Sequence, residues 1–210
     1  MKINVPTKIT IARIALVALL ILLLAVYEIM DYCGLVPDVM LGDSGISALR
    51  LSAAAIFVLA ASTDFLDGYL ARKWNQVTTL GKFLDPIADK LLVDSLLVYL
   101  CLPFPGNANM AVPVFCTVIM IARDLVVDAL RQVAASKGVV LAANVFGKAK
   151  TVAQMVAIPV VLLNGWPFTY FDYSWGYLRI GYILVYFAAA LSLLSGVVYV
   201  YSNRKVFLED

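Results

Sequence analysis

The feature that most limits what this chain can fold into is the recurrence of stretches too apolar to remain in water. The run from Ile9 to Tyr27 is almost wholly aliphatic, and further segments of similar character follow along the chain. Hydrophobic residues make up 63% of the 210 positions and charged residues only 14%, a balance foreign to an ordinary soluble domain. Mean hydropathy is +0.92. A bilayer-crossing helix needs about 20 residues, so six spans with short connections use up the chain. The expectation is an all-α integral membrane protein with six transmembrane helices, forming a single membrane-embedded domain over residues 1–210.

The helices are predicted at about Ile9–Tyr27, Ile46–Arg72, Lys82–Cys101, Met110–Val133, Lys148–Leu163 and Tyr177–Tyr201. A short amphipathic stretch is expected ahead of the first. No small-residue cleavage site follows that first run, so it reads as a retained helix and not as a signal peptide. Glu28–Gly45, with four acids and Gly34, Pro37 and Gly42, reads as an external loop. Leu102–Asn109 reads as a compact turn around Pro103, Pro105 and Gly106, and Asn164–Gly176 as a second external loop. Pro86 falls near the predicted start of the third helix, where a missing amide costs little. Residues 134–147 form a connector.

Six spans place Lys2, Lys8, Arg72, Lys73, Lys82, Lys137, Lys148, Lys150, Arg204 and Lys205 at one face, with Arg50 and Arg179 near the other. The positive-inside rule then sets both termini in the cytoplasm. Trp166, Tyr170, Tyr173 and Trp175 suit an aromatic belt on the outer side. Cys33, Cys101 and Cys116 have no metal-binding spacing and read as buried free thiols. The chain has no histidine, which removes the usual neutral-pH base and the usual zinc ligand.

Acids stand out against this background. Asp64, Asp67, Gly68 and Ala71 recur at helical spacing along one stripe of the second helix, and Asp85 and Asp89 share a face of the third. Carboxylates brought together repel unless cations lie between them. Oxygen donors alone favour Mg²⁺ or Mn²⁺ over zinc, and four carboxylates suffice for two ions. Gly68 and Ala71 let a flat base or a pyrophosphate approach the helix. The plainer alternative is a set of helix-end acids paired with Arg72, Lys73, Lys82 and Lys90.

The run Asp64-x2-Asp67-Gly68-x2-Ala71-Arg72-x8-Gly81-x3-Asp85-x3-Asp89 resembles, at every fixed position, the signature of the CDP-alcohol phosphotransferases. The resemblance implies six membrane helices, a homodimer, and transfer of a substituted phosphate from a CDP-linked lipid or alcohol to a hydroxyl, with release of CMP. It implies that Asp64, Asp67 and Asp85 ligate two divalent ions, with Asp89 beside one of them as the base. Gly68, Ala71 and Gly81 correspond to positions that make room for the cytidine nucleotide, and Arg72 to a charged neighbour of it.

The acceptor is read from the basic residues. Arg123, Arg131, Lys148 and Lys150 sit on the cytoplasmic ends of the fourth and fifth helices and suit a dianionic acceptor, with Lys137 on the connector as a further candidate. Gly147-Lys148-Ala149-Lys150-Thr151 resembles a stretch of bacterial-type phosphatidylglycerophosphate synthases. So does Asn4-x-Pro6-Thr7-x2-Thr10-x2-Arg13, although Thr7 replaces their second Asn and Arg123-Asp124 replaces their Arg-Glu pair. Thr7 and Thr10 are expected to contact cytidine or phosphate. That resemblance implies CDP-diacylglycerol as donor, glycerol 3-phosphate as acceptor and a bacterial cytoplasmic (inner) membrane, with the active site facing the cytoplasm. Membrane lipids are the remaining partners, and no nucleic acid is expected. Sister enzymes use inositol 1-phosphate, serine or phosphatidylglycerol as acceptor; the non-enzyme alternative is a metal-coupled transporter, which should carry its acids near mid-bilayer and often an internal repeat.

Overall fold

A computed structural model describes residues 4–35, 46–74, 78–102, 111–139, 141, 145–168 and 179–208, with side chains described for all of these except 6, 31, 65–72, 79, 82 and 205–208. These residues form helices α1 (Val5–Tyr32), α2 (Ala48–Lys73), α3 (Thr79–Tyr99), α4 (Val114–Ser136), α5 (Val145–Leu162) and α6 (Ile180–Leu208). Each predicted helix is present. Among the described residues, three stretches, Thr7–Met30, Val145–Leu162 and Ile180–Arg204, are long and apolar enough to cross a membrane, with mean hydropathies of 2.8, 1.4 and 2.2. The chain is an integral membrane protein whose described residues form six α-helices.

The helix ends depart from the sequence expectation for identifiable reasons. No separate amphipathic segment lies between Asn4 and the first helix: α1 begins at Val5, and the Lys8 amide donates to the Asn4 carbonyl at 3.1 Å. At the other end Glu28 and Asp31 belong to the last turns of α1 and not to a loop. The helix stops where Gly34 takes φ +68° and the Leu35 amide turns back to the Met30 carbonyl at 3.0 Å. α3 starts earlier than Lys82 because the Thr78 hydroxyl accepts the Gly81 amide at 3.0 Å and caps it. Pro86 therefore lies inside α3, beyond its first turn, and removes the bond its amide would have made to the carbonyl of residue 82.

Pro113 is the N-cap of α4, which ends at Ser136; Gly138 adopts φ +77° and the Val139 amide bonds the Ala134 carbonyl at 2.9 Å. α5 begins at Val145, so Lys148 and Lys150 lie within its first two turns and not at its start. Residues 36–45 of the loop expected over Glu28–Gly45, residues 103–109 of the turn expected over Leu102–Asn109, and Tyr170, Tyr173 and Trp175 lie outside the described residues. Trp166 is described and exposed. The thiols are free as expected, but only Cys116 is fully buried; Cys33, just past the end of α1, is exposed, and Cys101 is part-buried beside the Thr117 hydroxyl.

The contacts divide the chain into two compact units: residues Met1–Tyr99 with Leu162–Asn164, and residues Leu100–Val161 with Gly165–Asp210. In the first, α1 packs on both α2 and α3, and α2 packs on α3. Each helix buries a single stripe. That of α1 runs Thr7, Thr10, Arg13, Val17, Leu20 and Leu24; that of α2 runs Ala53, Phe57 and Ala60 toward Asp64; that of α3 passes Gly81, Ala88, Leu92 and Leu96. Every stripe changes from polar to apolar along its length. In lipid the drive for association is close packing and not expulsion of water, and the alanines on α2 and α3 permit that approach. The opposite side of α1 exposes Leu19, Leu22, Val26 and Ile29, as a lipid-facing surface should.

In the second unit α4 packs against α6, with Cys116, Met120, Val127, Val185, Ala188 and Tyr199 buried. Between these two helices lies an apolar cleft of about 640 Å³, walled by Ile119, Val126, Leu193, Val197 and Val200 and flanked by Arg123 and Arg204.

Candidate active site

The polar parts of the three stripes come together in the first unit. Thr7, Thr10 and Arg13, spaced three residues apart on the inner stripe of α1, each engage a residue at the polar end of α2 or α3. The Thr7 hydroxyl lies 2.7 Å from that of Thr78, the residue capping α3. Thr10 donates to Asp85 Oδ1 at 3.0 Å. Arg13 Nη1 donates to Asp64 Oδ1. The pair is asymmetric, since the Arg13 side chain is 0% exposed and that of Asp64 44% exposed. A buried cation thus stands behind a carboxylate whose other side is open.

Asp89 is half-buried one turn beyond Asp85 and has partners of its own. Asp67, Gly68, Ala71 and Arg72 belong to the helical course of α2, but their side chains lie outside the described residues. Gly81 is buried, and a Cβ there would stand 3.0 Å from Thr78 Oγ1 and 3.4 Å from Thr7 Oγ1. The missing side chain is therefore what lets the two hydroxyls meet over the start of α3. Thr7 and Thr10, expected beside the nucleotide, are 3% and 2% exposed and spend their hydroxyls on protein atoms.

The second unit gathers a different set. Asp124 on α4 receives Arg123 Nη1 on Oδ1 at 2.9 Å and Lys150 Nζ on Oδ2. Arg123 also donates to the Ser195 hydroxyl on α6. Arg123, Asp124 and Lys150 are only 12%, 13% and 7% exposed, so one carboxylate compensates two nearly buried cations. Gly196 has the same function here as Gly81 has in the first unit: a Cβ would lie 2.8 Å from Arg123 Cγ. Arg131 donates to the Tyr199 hydroxyl at 3.2 Å and lies over its ring, while Lys148 is exposed. Of the four basic residues expected to act together, Arg123 and Lys150 share a partner; Arg131 and Lys148 do not join that pair.

Sequence reasoning missed Arg13, Thr78 and Ser195 as parts of these constellations and missed the bond from Lys150 to Asp124; the pairing of Arg123 with Asp124 is the one the sequence leads to, with Asp128 or substrate as its alternatives. A usable signal existed for Arg13, the one charged residue inside the apolar run 9–27. Among the described residues no three acids converge into a preformed metal cage. The donors that are described, Asp64, Asp85 and Asp89, offer only carboxylate oxygens, and Asp64 and Asp85 are each already oriented through Oδ1. That chemistry fits a hard divalent cation, and the fourth carboxylate of the motif, Asp67, lies outside the described side chains.

Comparison with known proteins bears on both units. A chain 42% identical over 166 residues, covering 79% of each protein, is the CDP-diacylglycerol–glycerol-3-phosphate 3-phosphatidyltransferase of Bacillus subtilis (strain 168). Proteins of that name from Rickettsia bellii and, as a second form, from Arabidopsis thaliana are 34% and 36% identical over 97% and 99% of this chain, and over 97% and 82% of their own lengths. The sequence model described as CDP-alcohol phosphatidyltransferase matches residues 3–194, a span that takes in the threonine–arginine ladder of α1, the aspartates of α2 and α3, and Arg123, Asp124 and Lys150. The chain accordingly belongs to the CDP-alcohol phosphatidyltransferase family.

Proposed function

We propose that the chain transfers the phosphatidyl group of CDP-diacylglycerol to glycerol 3-phosphate, giving phosphatidylglycerophosphate and CMP. The observation that carries this reading is the similarity, along nearly the whole chain, to relatives named for that reaction. The carboxylates held by α1 supply its chemistry.

Asp64, Asp67, Asp85 and Asp89 would hold Mg²⁺ or Mn²⁺, two ions, which when bound offset the pyrophosphate charge and favour departure of CMP. Asp89 removes the proton from the 1-hydroxyl of glycerol 3-phosphate, and the oxygen attacks the β-phosphorus in line. Direct displacement inverts the configuration at phosphorus and leaves no covalent enzyme intermediate. Gly68, Ala71 and Gly81 leave room for the nucleotide, with Arg72 beside it and Thr7 and Thr10 supporting the site. Arg123, Arg131, Lys148 and Lys150 answer the acceptor dianion.

In this reading the protein is one domain with six spans and both termini in the cytoplasm, working as a homodimer in the bacterial inner membrane. Purified protein given CDP-diacylglycerol, Mg²⁺ and one alcohol at a time tests it. CMP release that requires glycerol 3-phosphate is expected. Release driven instead by inositol 1-phosphate, serine or phosphatidylglycerol overturns the acceptor, and no release with any of them overturns the reaction.

A further inference from the structure

We propose that Arg13 is a positioning residue for this reaction, fixing the Asp64 carboxylate so that its open side meets the divalent cation and the pyrophosphate. The inference rests on the function proposed above. Arg13 does not touch substrate itself, since its side chain is 0% exposed. It acts through Asp64, whose side chain is 44% exposed and whose Oδ1 it engages. A charge inside an apolar helix is costly unless a partner answers it. Asp64 answers this one, and the same bond fixes the rotamer of an aspartate on a different helix.

The neighbours of Arg13 point the same way. Thr10, three residues earlier, holds Asp85 by Oδ1, and Thr7, three earlier again, meets the cap of α3. The inner stripe of α1 therefore sets the azimuth of one carboxylate on α2 and one on α3, from behind, with the opposite faces left to a ligand. Partners that orient metal-binding side chains are typically worth about 10–100-fold in metal affinity or activity. A pin between α1 and α2 with no further role would affect folding alone.

The test uses the full chain in lipid nanodiscs, with Arg13→Met, Arg13→Lys, Asp64→Asn and the double variant Arg13→Met/Asp64→Asn. Two quantities are read: Mn²⁺ bound by the protein, from the loss of the free-ion paramagnetic resonance signal, and kcat and KM for CMP release. Arg13→Met should weaken Mn²⁺ binding and lower kcat by about 10–100-fold, leaving KM for glycerol 3-phosphate unchanged. Arg13→Lys should recover part of both. In the Asp64→Asn background, Arg13→Met should cost nothing further, because the residue through which it acts is gone.

The double variant carries no unpaired buried charge, so it remains readable if Arg13→Met alone does not fold. An undiminished Mn²⁺ affinity in Arg13→Met, a full additional loss in the Asp64→Asn background, or wild-type protein that binds no Mn²⁺ would each overturn the proposal. Wild-type protein that binds Mn²⁺ yet releases no CMP with glycerol 3-phosphate refutes the proposed reaction instead, and the Mn²⁺ titration then still decides the role of Arg13.

Discussion

Replacing Asp124 with Asn changes one oxygen for one nitrogen yet should be among the most damaging single substitutions in this chain. Its carboxylate is shared by Arg123 and Lys150, which are 12% and 7% exposed, so its loss leaves two cations side by side with little water to screen them. Removing one partner from a buried ion pair typically costs about 3–5 kcal/mol. For chains of this length each kcal/mol shifts the melting temperature by roughly 2–4 °C, which makes the expected fall roughly 6–20 °C. Thermal unfolding in lipid nanodiscs measures it. Adding Lys150→Met to Asp124→Asn removes the surplus charge and should return much of the loss, whereas exposed Lys148→Met alone should stay within about 0.5 kcal/mol of wild type. The reasoning is refuted by an Asp124→Asn protein that melts with wild type, or by a double variant no more stable than the single one.

Three further outcomes are expected. Gly81→Ala forces a Cβ to within 3.0 Å of the Thr78 hydroxyl and should destabilise by about 1–3 kcal/mol, with Thr78→Ala relieving part of the cost in a melting experiment. Asp89→Asn should lower kcat by about 10²–10⁴-fold, and an unchanged kcat dismisses it as the base. Chelation of divalent ions should abolish CMP release, and Mg²⁺ or Mn²⁺ should restore it; turnover persisting in chelator contradicts the assignment of the aspartates.

Much of the fold is legible because α1, α5 and α6 carry long apolar runs and the other helices shorter ones, and lipid leaves the backbone few alternatives to a helix. The ends are less legible because they depend on single residues. Gly34 and not Glu28 stops α1, and Thr78 starts α3 through a cap that two adjacent threonines leave ambiguous on paper. The aspartates could be found from spacing alone, since i+3 and i+4 intervals describe one helix face. Their partners could not. Arg13 and Asp64 are 51 residues apart and Lys150 and Asp124 are 26 apart, so pairing them requires knowing which helix faces which. Asp124 is legible as a partner of its neighbour Arg123, but not as the partner of Lys150 on another helix.

The cleft between α4 and α6 has a practical consequence for anyone who takes the protein out of its membrane. A hollow of about 640 Å³ with aliphatic walls offers water almost nothing to bond, so it suits the lipid tails of a membrane better than solvent. Solubilisation exchanges lipid tails for surfactant tails, and a tail too short to reach along the cleft leaves part of its walls without contact. Alkyl length, more than head-group chemistry, should then govern how long α4 and α6 stay together in a purified sample.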